Sequence, residues 1–144
     1  MSESGASTHP LTGGCNCGTV RFEVRAPFET AGYCHCTRCQ RRTGCAASPA
    51  GIVSSAHVVI TAGVDAIATW QPEDGFPKSF CDRCGGHLYS GTPGGDGVVG
   101  VRLGALDGDP GIRPQWHQWV ASAVAWEPIP DDGLPRYEAR RPGV

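Results

Sequence analysis

The chain has 144 residues, 40% of them hydrophobic, and a formal net charge of −2. That length suits one domain with a real core, the charge leaves no general electrostatic case for nucleic acid or an acidic membrane, and no apolar run approaches the ~18 residues of a membrane span. Eight cysteines among 21 glycines and 12 prolines point to short strands and turns built around metal, since a reducing compartment disfavours a disulfide framework.

Residues 1–12 begin "MSESGASTHP", small and polar, and are expected to form a flexible tail. They lack the basic-then-apolar order of a signal peptide, so a soluble cytoplasmic protein is expected. "GGCNCG" (13–18) places Cys15 and Cys17 two positions apart, where an extended segment projects both thiols to one side. "TVRFEV" (19–24) follows, with Val20, Phe22 and Val24 alternating as in a half-buried strand. "YCHCTRCQRRTG" (33–44) then holds Cys34, Cys36 and Cys39, with Arg38, Arg41 and Arg42 interleaved and just behind. Further strands are predicted at "VVIT", "AIATW", "KSFC", "HLYSG" and "VVGVRL", separated by turn signals such as "EDGFP" and "TPGGDG". "QWHQWVASAVAW" reads as strand or short helix, and "PIPDDGLPRYEARRPGV" as an extension lying along the surface. The fold class is mainly β and antiparallel, with little helix.

The cysteines divide into two sets. Cys81-x-x-Cys84-Gly85 has the form of a zinc knuckle, in which glycine supplies the positive φ that continues the turn. Together with Cys15 and Cys17 it offers four thiolates, the tetrahedral complement of a structural zinc. Buried free cysteines and a redox pair at Cys81 and Cys84 are the other readings, the second without a βαβ context to support it. Cys34, Cys36 and Cys39 make a set of three, which leaves a metal one position open to substrate unless Cys45 closes it. His35 alternates to the opposite face and is not counted as a ligand.

Arg38, Arg41 and Arg42 can offset thiolate charge and grip a carboxylate, or can be ordinary exposed arginines. His117 is either a proton shuttle near the second set or a hydrogen-bonded structural histidine. Trp70, Trp116, Trp119 and Trp126 are expected in the core or in a pocket wall. Lys78 either offsets thiolate charge or is solvated. No side chain is assigned the bond-making step.

The stretches "GGCNCGTVRFEV", "YCHCTRCQRRTG", "KSFCDRCGGHLY" and "PQWHQWVASAVAWEPIPDDGLPRYE" resemble, in order, the glutathione-dependent formaldehyde-activating enzyme family, also called the Gfa or centromere-protein-V domain family. The resemblance runs from Gly13 to Glu138, so the expected domain is 13–138, with a C-terminal tail at 139–144. It implies a small zinc-binding β fold of the type shared with methionine sulfoxide reductase B. It also implies a structural zinc on Cys15, Cys17, Cys81 and Cys84, and a substrate-side zinc on Cys34, Cys36 and Cys39. The implied reaction joins glutathione to formaldehyde as S-hydroxymethylglutathione, formally a carbon–sulfur lyase activity. Two other functions remain open: a non-catalytic carrier of glutathione or a similar thiol, and a structural zinc module for protein contacts. A methionine sulfoxide reductase is disfavoured, because it would use two CxxC pairs plus a separate catalytic cysteine.

Overall fold

The computed structural model describes residues 10–143. Most of the segment read as an N-terminal tail therefore lies outside the described residues, but its last part does not: the first strand, β1, is Leu11–Gly14. It pairs with β2 (Arg21–Val24), Leu11 standing opposite Val24. β2 in turn pairs with β5 (Val58–Ala62), closing a three-stranded antiparallel sheet. The alternation of "TVRFEV" is what seats β2: Val20, Phe22 and Val24 are each at most 1% exposed. Burial of that order contributes roughly 1.5–3 kcal/mol per side chain.

The larger sheet comprises β3 (Thr30–Cys34), β4 (Ser48–Ser54), β6 (Ile67–Trp70), β7 (Lys78–Cys81), β8 (His87–Ser90), β9 (Val98–Arg102) and the two-residue β10 (His117–Gln118). Its order is β10-β3-β4-β9-β8-β7-β6. All neighbours are antiparallel except β10, which lies parallel to β3 with His117 beside Tyr33. The core lies between the sheets, where Val53, Leu88, Val99 and Val101 meet the β2 face.

β3 and β4 carry no strong strand signal in sequence. "SPAGIVS" (48–54) holds a proline and a glycine, yet it forms an interior strand of the sheet between β3 and β9, and its Gly51 is needed there. A Cβ at that position would stand 2.8 Å from the Phe28 ring. "QWHQWVASAVAW" contains both of the alternatives read from it, each in short form. It is β10 followed by a 3-10 turn at Val120–Ser122.

The α-helix, α1, is Thr37–Thr43. Its cap is a thiol: Cys36 sits at the N-cap and its sulfur accepts from the Cys39 backbone N–H at 3.3 Å. The helix ends at Gly44, whose N–H returns to the Gln40 carbonyl. No helix among the described residues is long and apolar enough to cross a membrane.

The C-terminal residues do not trail away. Backbone hydrogen bonds run from Trp119 N–H to the Ala139 carbonyl at 3.0 Å and from Tyr137 N–H to the His117 carbonyl at 2.9 Å. The segment is thereby laid along β10, and the stretch read as a tail from 139 onward forms part of the structure through Gly143.

Candidate metal centres and cleft

Two groups of thiols converge. Cys15, Cys17, Cys81 and Cys84 form one and Cys34, Cys36 and Cys39 the other, the sulfurs of each group lying within 4.8 Å of one another. In the first group the knuckle closes through hydrogen bonds from Cys81 N–H to the Gly86 carbonyl and from Gly85 N–H to the Cys81 carbonyl. Gly85 takes φ 76° to make that turn. The sulfurs of Cys15 and Cys17 are 3.6 Å apart, and those of Cys17 and Cys81 are 3.9 Å apart. A tetrahedral zinc with Zn–S bonds of about 2.3 Å requires sulfurs about 3.8 Å from one another, so the set fits that ion. Backbone N–H groups of Val20 and Arg83 point at the sulfurs of Cys15 and Cys81, the arrangement a thiolate favours. The Thr19 hydroxyl, 3.2 Å from the Cys17 sulfur, brings that thiol down to about 6.

The second group is made locally. β3 ends at Cys34, Cys36 caps α1, and Cys39 lies one turn on, so i, i+2 and i+3 contacts bring the three sulfurs together. Hydrogen bonding between Cys34 and Cys36, then with Cys39, pushes Cys34 up and pulls Cys36 down to about 2. The Cys39 backbone N–H aimed at the Cys36 sulfur also favours its thiolate form. No fourth His, Cys or carboxylate joins these three among the described residues. Cys45 is exposed beyond the end of the helix, its sulfur 3.6 Å from the Thr43 carbonyl. The chemistry of three thiols and no further side chain suits a soft divalent ion that keeps one position for an exogenous ligand.

This second group opens into a cleft of about 350 Å³. Trp116, Trp119 and Phe76 form apolar walls, and Ser48, Ser90 and Arg102 line it beside the cysteines. Arg102 is fixed by donating to both hydroxyls, at 2.6 Å to Ser48 Oγ and 2.8 Å to Ser90 Oγ. Burial, and then the nearby Arg42, lowers its guanidinium to about 10. Burial, reinforced by Arg102 and Arg42, also brings Lys78 down to about 8.

Of the three arginines read from sequence, only Arg38 lines the cleft, and it is committed to Asp74 through two 2.8 Å hydrogen bonds. Arg41 is exposed and lines no part of the cleft. Arg42 is also absent from the cleft lining, with its Nη2 3.3 Å from His87 Nδ1. Arg41 and Arg42 thus do not face the cleft as Arg38 does, since successive helical positions point in different directions. Arg42 nevertheless lies against the thiols, where burial lowers its guanidinium and Cys39, Cys36 and Cys34 pull the other way, so its charge-offsetting reading stands. Arg102, which the sequence reading missed, ends an otherwise apolar strand, the one visible hint that it is held for a purpose.

His35 turns away from the thiols and meets His117, Nε2 to Nδ1 at 2.9 Å. His117 Nε2 meets Asp132 Oδ2 at 2.8 Å. Both rings are buried and neither lines the cleft, the surroundings expected for a hydrogen-bonded structural histidine. Trp116 and Trp119 are wall residues as expected. Trp126 and Trp70 are instead 69% and 46% exposed, Trp70 carrying the Arg38 guanidinium at 5.7 Å.

Residues 10–122 match the family model described as glutathione-dependent formaldehyde-activating enzyme. Among solved structures, a crystal structure of a Rhodobacter sphaeroides protein is similar in fold. Its TM-score is 0.56 at 22% identity, covering 87% of this chain and 98% of that one.

Proposed function

The chain belongs to the glutathione-dependent formaldehyde-activating enzyme family, and from that premise we propose that it is a zinc-dependent carbon–sulfur lyase-type enzyme. It joins glutathione, or a similar thiol, to formaldehyde as S-hydroxymethylglutathione. The observation that carries this reading is the three-thiol group of Cys34, Cys36 and Cys39, without a fourth side-chain ligand among the described residues, opening into a cationic cleft. A second, closed metal on Cys15, Cys17, Cys81 and Cys84 would be structural, tying the turn after β1 to the end of β7.

When bound at Cys34, Cys36 and Cys39, zinc supplies a soft Lewis acid that favours the thiolate form of an incoming thiol at neutral pH. The remaining work belongs to this chain's side chains. Lys78 and Arg102 offset the negative charge of the cysteines, so that a further anionic sulfur can approach. Trp116, Trp119 and Phe76 exclude water from the sides of the cleft. In the reaction, the thiol sulfur forms a bond to the formaldehyde carbon, the carbonyl π pair moves to oxygen, and the proton lost by the thiol ends on that oxygen. Lys78 lines the cleft, and burial brings it down to about 8, so it would give such a proton near neutral pH. Holding the two reactants together supplies most of the acceleration, since the addition proceeds without a catalyst.

The test is the rate of S-hydroxymethylglutathione formation against the spontaneous rate at matched pH, with Cys36→Ser as control. Excess rate in the native protein alone supports the reading. Zinc-dependent glutathione binding without excess rate would instead make the protein a thiol carrier.

A further inference from the structure

The charges lining the cleft divide into two groups. Lys78 and Arg102 sit with the cysteines and face their thiolates, and Arg38 is paired with Asp74. Arg140 and Arg141 are different. Both line the cleft from the C-terminal segment, and no described carboxylate lies within ion-pair distance of either. Asp74, the one acid in the lining, is already held by Arg38.

Their positions are built rather than incidental. The Arg141 guanidinium lies over the Trp116 ring at 4.8 Å, and its backbone N–H donates to Gln118 Oε1 at 3.1 Å. Its Nε is buried without a hydrogen-bond partner among the described residues. Arg140 faces Phe76 at 6.0 Å across the cleft mouth. Two guanidinium groups kept on aromatic faces at the rim, without acids, are poised for an oxyanion brought by a ligand. Both residues also lie beyond residues 10–122, so the family match does not account for them.

We propose that Arg140 and Arg141 form a specificity wall that grips a carboxylate on the end of the ligand remote from its thiol. The cleft thus selects an acidic thiol peptide over a small neutral thiol. The proposal rests on the reading that a thiol occupies the open position at Cys34, Cys36 and Cys39. The neutral thiol reports on that reading by itself, because it can reach the metal but has nothing to offer the wall.

Calorimetry on the zinc-loaded full chain with glutathione, glutathione diethyl ester and 2-mercaptoethanol tests it. The native protein should bind glutathione at least about tenfold more tightly than the diester, the scale of one or two charge-assisted hydrogen bonds. Arg140→Gln with Arg141→Gln should shrink that ratio to near unity while 2-mercaptoethanol binds as before, which also shows that the cleft still folds. Arg141→Lys, which keeps charge but not the fork, should fall between. Equal binding of glutathione and its diester to the native protein overturns the proposal. So does a preference that survives in the double variant. Failure of the underlying reading looks different: 2-mercaptoethanol and glutathione would then bind Cys36→Ser as well as they bind the native protein.

Discussion

Replacing His117 by phenylalanine should destabilise the protein without touching its chemistry. The His117 ring is 2% exposed and joins two partners, His35 at 2.9 Å and Asp132 at 2.8 Å. Phenylalanine keeps the ring stacked on Tyr33, whose centroid is 5.0 Å away, so the loss is confined to hydrogen bonds. His35, 6% exposed, would be left with a buried donor unmet, at a cost of about 1–3 kcal/mol. Asp132, whose side chain is 27% exposed, can turn to water and should add only about 1 kcal/mol. The sum, about 2–4 kcal/mol, corresponds to a melting temperature lower by roughly 6–15 °C for a domain of this size. Differential scanning calorimetry reads that fall, and glutathione affinity at 20 °C below the new midpoint should match the native value. An unchanged melting temperature would refute the account of His117 as a buried hydrogen-bonded support. Lost glutathione binding at native stability would move His117 into the chemistry.

A chelator should empty the Cys34–Cys36–Cys39 group first and leave far-UV circular dichroism nearly unchanged, because three ligands release an ion more readily than a closed four-sulfur cage; simultaneous loss of metal and β structure would contradict this. Cys81→Ser should give protein that is largely unfolded or insoluble, since metal binding at the knuckle is coupled to folding; a normal thermal transition with that position empty of zinc would count against it. Gly32→Ala should destabilise by about 1–3 kcal/mol through overpacking, because its Cβ would stand 2.2 Å from the Trp116 ring; denaturant titration checks the figure, and no loss would show that Trp116 can move. Glutathione binding should weaken as pH rises through about 8, where Lys78 gives up its proton and its positive charge; isothermal titration across pH 7–9.5 should find this step absent in Lys78→Met and moved upward in Lys78→Arg.

The thiol groups were legible because their geometry is local. A pair at i, i+2 and a knuckle at i, i+3 converge whatever the rest of the chain does, and only the joining of Cys15 and Cys17 to Cys81 and Cys84 needed the whole sheet. The strands with β-branched alternation were legible for the same reason. β4 was not, since Pro49 and Gly51 read as turn signals, while in the structure Gly51 makes room for Phe28 on an interior strand of the sheet. Nor was α1, where seven residues bury only Cys39 and leave no apolar period to detect. The cations of the cleft were the hardest to foresee. Arg102 arrives through the order β4-β9-β8, and Arg141 through the return of the chain along β10. Both are non-local facts, whereas proximity in sequence favoured Arg41 and Arg42.

The central claim is that Cys34, Cys36 and Cys39 hold a metal whose remaining position takes the sulfur of a thiol. Cobalt substitution tests it most directly, because thiolate-to-cobalt charge-transfer absorption grows with each sulfur bound. The account predicts two cobalt ions per chain and a rise in that band on adding glutathione, absent with S-methylglutathione and absent in Cys36→Ser. A band that stays constant in the native protein as glutathione saturates the cleft would contradict it.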